Sequence, residues 1–315
     1  MSISHWADDR AAAAYRAAYD EALGLWPIPY LAQSVETAFG RIHVVESGPV
    51  HADPVVLIHA ASLSATQWYL QAADLGTDHR LIAIDILGDI GRSEQAAPIR
   101  TREDAAAWLV ATLDALDVRA ATFIGSSFGG FLSANVAVLR PERVQSLVLL
   151  APAATLRPFR SLANLAIRTG SLLPLPMTVK PGLRGMMEGR LPDARIVRQM
   201  EVGVRGFRYD RRGIYPCALG DDELAAISCP TLVLLGDREK IYDPAAAAAR
   251  ARRLLPAAEV SVIPGVGHLL GMQDPAGING RIVRFLEDQG GDTRSVVAAT
   301  DPEPARQGVT VGAGR

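Results

Sequence analysis

In Ala121-Thr122-Phe123-Ile124-Gly125-Ser126-Ser127-Phe128-Gly129-Gly130 a short apolar run breaks into a glycine-rich turn and then opens a second apolar stretch that lasts to Leu139. The run Ala121 to Gly125 reads as a buried strand. Phe128 to Leu139 reads as a helix, which Pro141 ends because proline has no N–H and its ring clashes in a helix interior. Between them Gly125, Ser127 and Gly129 match the spacing G-x-S-x-G, which needs this strand–turn–helix setting. The turn is so tight that a side chain at either flank would strike backbone, hence a glycine on each side of Ser127. Ser126 lies out of register. Ser127 then sits at the tip with its hydroxyl exposed. The helix N-terminus puts backbone N–H groups and the positive dipole end beside it, where negative charge would develop. The competing reading is a purely structural glycine-rich turn.

Outward from this turn, Val55 to His59, Leu81 to Ile84 and Ser146 to Leu150 are short, continuous and apolar, as are Thr231 to Leu235 and Glu259 to Ile263. Such runs fit strands buried on both faces of a parallel sheet. Val35 to Phe39 and Ile42 to Glu46 alternate and read as a hairpin around Gly40. Helices separate the later strands. Thr101 to Leu116 opens on a capping box, with Thr101 at the N-cap and Asp104 three residues on; Ala245 to Leu255 follows Asp243-Pro244, an N-cap with proline at the first helical position; a last helix opens from Leu269. This alternation predicts an α/β fold with a doubly wound, mostly parallel sheet in residues 31–152 and 229–288. Residues 1–30 read as a helical segment in which Tyr15, Tyr19 and Leu23 form a stripe laid on the core. Residues 153–228, cut by Pro174, Pro176, Pro181 and Pro192, read as a helical insertion covering the C-terminal edge of the sheet, where open α/β folds bind ligands. Residues 289–315 have little hydrophobic periodicity and read as a disordered tail.

A serine hydroxyl needs a base. Of six histidines, His268 stands on a glycine loop (Pro264-Gly265-Val266-Gly267-His268) directly after the last strand, placed to reach the catalytic edge. The base needs a carboxylate to fix its tautomer. Asp237, Glu239 and Asp243 all follow the strand Thr231 to Leu235, and geometry alone does not choose among them; Asp243 is most simply the helix N-cap.

The order serine, acid, histidine, with the serine between strand and helix, resembles the α/β-hydrolase superfamily. Leu57-Ile58-His59-Ala60-Ala61 resembles that family's strand and His-Gly loop, and Asp85 to Ser93 its D-x-x-G-x-G-x-S stretch, here one residue longer. The likeness spans roughly Val35 to Leu286. It implies a Ser127–Glu239–His268 triad, since the family's acid lies three residues after the glycine ending its strand; aspartate is more usual there, which keeps Asp237 as the rival. It also implies an oxyanion hole from the backbone N–H groups of Phe128 and Ala61. Ala60 replaces the family's usual glycine, a departure that bears on the shape of that hole. His59 and Asp85 are read as loop-fixing residues and Trp68 as a packing anchor.

The 315 residues are 49% hydrophobic with a formal net charge of −2, a balance with no electrostatic footprint for nucleic acid or an anionic membrane. Neither Cys217 nor Cys229 sits in a metal-binding or disulfide pattern, and no secretory leader or membrane span is read, which points to the cytoplasm. No cofactor or metal is implied. The expected activity is hydrolysis of a carboxylic ester, or a related acyl bond, of a small apolar molecule through an acyl-enzyme. Leu172, Leu173, Met186, Met187 and Phe207 suggest an apolar pocket, and Arg184, Arg205 and Arg208 a solvated face. Two alternatives stay open: a C–C bond hydrolase with the same triad, or a non-hydrolytic ligand-binding or cyclase relative.

Overall fold

Along the strand that carries Gly125, side chains alternate between two apolar layers. Ile124 packs with Val55, Leu57, Val148 and Leu150 on one face, and Phe123 with Val56, Ile58, Leu147 and Leu149 on the other. A strand buried on both sides has no polar face to show, which is why these segments are continuously apolar rather than alternating. A computed structural model describes residues 3–161 and 176–298, with only the backbone given for 290–298. It contains strands β1 (His5–Trp6), β2 (Tyr30–Thr37), β3 (Gly40–Ser47), β4 (Pro54–Ile58), β5 (Arg80–Ile84), β6 (Glu94–Gln95), β7 (Ala121–Ser126), β8 (Val144–Leu150), β9 (Phe207–Arg208), β10 (Thr231–Gly236) and β11 (Ala258–Ile263). The main sheet runs β11-β10-β8-β7-β4-β5-β3-β2, with β6 paired to β3. β4, β5, β7, β8, β10 and β11 are parallel, while β2 and β3 form the antiparallel hairpin at one edge. This is the expected doubly wound, mostly parallel sheet. β7 lies at its centre, so the turn after it opens at the C-terminal edge between the loops after β4 and β8.

The helices form where their signals lie. Thr101 caps Arg102–Ala115 with Asp104 completing the box, Asp243 caps Pro244–Leu254, and Phe128–Leu139 follows the turn directly. Tyr15, Tyr19 and Leu23 of the helix Asp9–Leu23 are buried. Fully burying apolar side chains of this size stabilises by about 1.5–3 kcal/mol each.

Three features differ from the sequence reading. The helix Asp9–Leu23 packs against the inserted helix Ala194–Gly206, and β1 pairs with β9, so the N-terminal segment docks on the insertion as well as on the sheet. β9 itself lies in a stretch with no strand signal; two residues are too few for a periodicity to appear. Finally, the helix Pro275–Ala298 continues past Asp288, where the tail was expected to begin. Leu172, Leu173, Pro174 and residues 299–315 lie outside the described residues. Among those described, no helix is long and apolar enough to cross a membrane.

Candidate active site

Ser127 holds φ 51° and ψ −111°, a conformation costly for a residue with a Cβ. Three backbone hydrogen bonds impose it: Ser127 N–H donates to Leu150 O at 2.9 Å, and the Ser127 carbonyl accepts from Phe131 N–H at 3.1 Å and Ala153 N–H at 2.9 Å. The flanking glycines are obligatory. A Cβ on Gly125 would sit 2.3 Å from Gly129 O, and one on Gly129 only 2.0 Å from Ile58 O. The turn is thus wedged between the ends of β4 and β8.

His268 reaches this turn from the loop after β11. Its Nε2 lies 2.7 Å from Ser127 Oγ, and its Nδ1 lies 2.5 Å from Glu239 Oε2. A carboxylate only accepts, so Nδ1 carries the proton and Nε2 is left to accept from the serine hydroxyl. His268 and Glu239 are buried, at 2% and 4% exposure, so water does not compete for these bonds. The loop is braced: His268 N–H donates to Met186 O at 2.8 Å, Gly267 N–H to Gln273 Oε1 at 2.9 Å, and the Tyr242 ring stands edge-on to the imidazole. Burial pushes the Glu239 carboxyl upward, but the neighbouring His268 and the N–H donors of His268 and Ile241 outweigh it, holding Glu239 below the usual carboxylate range. It is therefore a carboxylate at neutral pH.

Asp237 is elsewhere. Its Oδ1 accepts the Gly265 N–H at 2.7 Å, which ties the acid loop to the histidine loop without touching the imidazole. Asp243 accepts from Ala246 N–H at its helix N-terminus. The candidate oxyanion donors, the Phe128 and Ala61 N–H groups, take part in no hydrogen bond among the described residues. His59 Nε2 accepts from Ile86 N–H at 2.9 Å, so its Nδ1 donates to Ala60 O at 2.8 Å, and its carbonyl accepts Gly129 N–H at 3.1 Å. Ala60 fits this loop: its methyl is buried, its N–H donates to Gln67 Oε1 at 2.9 Å and its carbonyl also accepts from Leu63 N–H. Asp85 accepts from Ala65 and Arg92 N–H, which fixes its loop, and Trp68 is wholly buried in the core.

Met187 and Phe207 are packed into the core, Met186 is half-buried, and Arg184, Arg205 and Arg208 are exposed. Sequence reasoning missed Gln67, Asp89, Gln199 and Tyr209. Gln199 joins the insertion to Ser64, Thr66 and Tyr15 by buried hydrogen bonds. Only the extra residue between Gly88 and Gly91 hinted at Asp89.

Residues 55–281 match the model of the "Alpha/beta hydrolase family". A Bacillus subtilis (strain 168) protein named uncharacterized carboxylesterase nap is 35% identical over 89% of this chain and 94% of its own length. Carboxylesterase YbfK of the same strain is 31% identical over 85% and 92%. Among solved structures, naproxen esterase (carboxylesterase NP) from Bacillus subtilis superposes with a TM-score of 0.81 at 36% identity, covering 89% of this chain and 99% of that one.

Proposed function

The chain belongs to the alpha/beta hydrolase family, and from that premise we propose that it is a carboxylesterase whose catalytic residues are Ser127, His268 and Glu239. The observation that carries the reading is the buried relay from Ser127 Oγ through both imidazole nitrogens to Glu239. Its similarity to two proteins named carboxylesterase, each over more than four-fifths of the chain, supports the bond class.

In this mechanism Nε2 of His268 takes the hydroxyl proton as Ser127 Oγ attacks the ester carbonyl. Glu239 holds the imidazole in the tautomer that can accept and stabilises the imidazolium that forms. The Phe128 and Ala61 N–H groups receive the oxyanion; fixed donors of this kind contribute about 3–4 kcal/mol each to such a transition state. His268 returns its proton to the departing alkoxide and the alcohol leaves. Water then attacks the acyl-Ser127 carbonyl, with His268 again as base, and releases the acid. No step needs a metal or organic cofactor.

The insertion between β8 and β10 caps this site. Supporting this, Met186 O holds the His268 N–H, and Lys240 Nζ donates to Gly185 O at 3.1 Å. The substrate is a small, largely apolar ester, and the unpaired Cys217 and Cys229 fit a reducing cytoplasm. The test is turnover of a panel of p-nitrophenyl esters by the native enzyme and by Ser127→Ala. Hydrolysis by the native enzyme that Ser127→Ala loses supports the proposal; normal turnover by Ser127→Ala overturns it.

A further inference from the structure

The loop after β5 is one residue longer than the pattern it resembles, and it carries a buried carboxylate that the mechanism does not use. Asp89 is 4% exposed. Its Oδ2 accepts the Ser62 N–H at 2.9 Å, and its Oδ1 accepts the Tyr209 hydroxyl at 2.8 Å and the Ile90 N–H at 2.7 Å. With the Tyr209 proton committed to Asp89, Ser62 Oγ donates to the Tyr209 oxygen across 2.9 Å. Burial pushes the Asp89 carboxyl above its ordinary range, and the nearby His59 and the donors from Ser62, Tyr209 and Ile90 oppose that shift only in part.

What Asp89 clamps is the neighbour of the candidate oxyanion donor. Ala61 stands between two peptide groups. The one before it is held by the Ala60 carbonyl, which accepts from Leu63 N–H and His59 Nδ1. The one after it carries the Ser62 N–H, which Asp89 holds. Ser62 has φ 61°, a left-handed conformation that a residue with a Cβ keeps only when its surroundings impose it. Tyr209 adds a second connection. It follows β9 in the insertion and packs edge-on against Phe207, whose ring in turn meets Trp6. The same carboxylate therefore joins the loop of Ala61 to the inserted segment.

We propose that Asp89 is a positioning residue for ester cleavage, fixing the peptide after Ala61 and, through Tyr209, linking the aim of the Ala61 N–H to the seating of the insertion. This rests on the esterase reading above. It deepens that reading by assigning half of the oxyanion hole to a clamp shared between sheet loop and cap.

The experiment compares the native enzyme with Asp89→Asn, Tyr209→Phe and Ser127→Ala. It uses p-nitrophenyl acetate turnover, inhibition by an alkyl trifluoromethyl ketone and thermal melting. The ketone forms a hemiketal oxyanion on the serine and so reports the hole directly. Asp89→Asn sets an amide N–H₂ or a weaker neutral carbonyl against the Ser62 N–H. The expected result is a fall in kcat of roughly 10- to 100-fold with KM within about threefold, less than the 10²–10³ cost of losing a whole oxyanion donor. Affinity for the ketone should fall in parallel. Tyr209→Phe should lower both by roughly 3- to 10-fold, and it decides alone if Asp89→Asn fails to fold. Folded variants with kcat and ketone affinity within about twofold of native overturn the inference, as does a lowered melting temperature with both kinetic readouts unmoved. If Ser127→Ala is inactive while the other variants are native-like, only this inference fails; if Ser127→Ala hydrolyses normally, the esterase reading fails.

Discussion

A single methyl group at Gly129 should disable the enzyme without touching any ionisable residue. A Cβ there would lie 2.0 Å from Ile58 O, 2.5 Å from Ile58 C and 2.7 Å from His59 O, the first of these more than an ångström inside ordinary contact. None of these atoms belongs to a side chain that can rotate away; all are backbone at the end of β4. Either the turn or the β4 loop must move, and the Gly129 N–H bond to His59 O is stretched or lost. Overpacking of this kind costs about 3 kcal/mol or more, and the lost hydrogen bond about 1 kcal/mol. The same shift carries Ser127 Oγ away from His268 Nε2 and from the Ala61 loop, and a misplacement near 1 Å costs about 10²-fold in rate. Gly129→Ala should therefore unfold at distinctly lower urea and lose about two orders of magnitude in kcat/KM on p-nitrophenyl acetate. Gly182→Ala is the control: nothing lies within 4 Å of a Cβ there. In the interior of the helix Val179–Met186 it should be neutral or stabilising by up to about 1 kcal/mol. A Gly129→Ala protein with native stability and native kcat/KM would refute the wedge between β4 and β8 as the origin of the serine's placement.

Other substitutions separate the remaining roles. Glu239→Gln should lower kcat by on the order of 10³- to 10⁴-fold, whereas Asp237→Asn, which loosens only a loop contact, should leave kcat within a few-fold; the reverse order in steady-state kinetics would transfer the acid's role. Glu239 is held below the ordinary carboxylate pKa, so its contribution to stability is present above the unfolded value near about 4.3 and is lost as pH falls through the lower folded value. The urea midpoint of the native protein relative to Glu239→Gln should thus rise from about pH 3 to about pH 5 and then level off; a difference that does not vary with pH would contradict the shift. Thr101→Ala, which removes the hydroxyl that accepts the Asp104 N–H at 3.1 Å, should cost about 1 kcal/mol by urea denaturation with kcat unchanged.

What could be read in the sequence was local. The turn at Ser127 announced itself because its glycines, strand and helix lie within a few residues of one another. The caps at Thr101 and Asp243 have short-range signatures for the same reason. His268 stood out by its glycine loop after a strand. The choice between Glu239 and Asp237 needed the folded distances: both follow β10, and only the path of the chain sends Glu239 inward to the imidazole while Asp237 turns to Gly265. Most of the contacts that escaped are distant in sequence. Asp89 with Tyr209, Gln199 with Ser64, and β1 with β9 each join residues more than a hundred apart, and no periodicity encodes such pairs. Ala60, which departs from the family's glycine, proves compatible with its loop because Gln67 accepts its N–H, a partner that no motif marked.

Whether Ser127 is a nucleophile activated by His268 can be read by intact-protein and peptide mass spectrometry after treatment with a fluorophosphonate. One adduct per chain is expected, located on the peptide that contains Ser127, and none on Ser127→Ala. An unmodified native protein, or an adduct that maps elsewhere and persists in Ser127→Ala, would contradict that role.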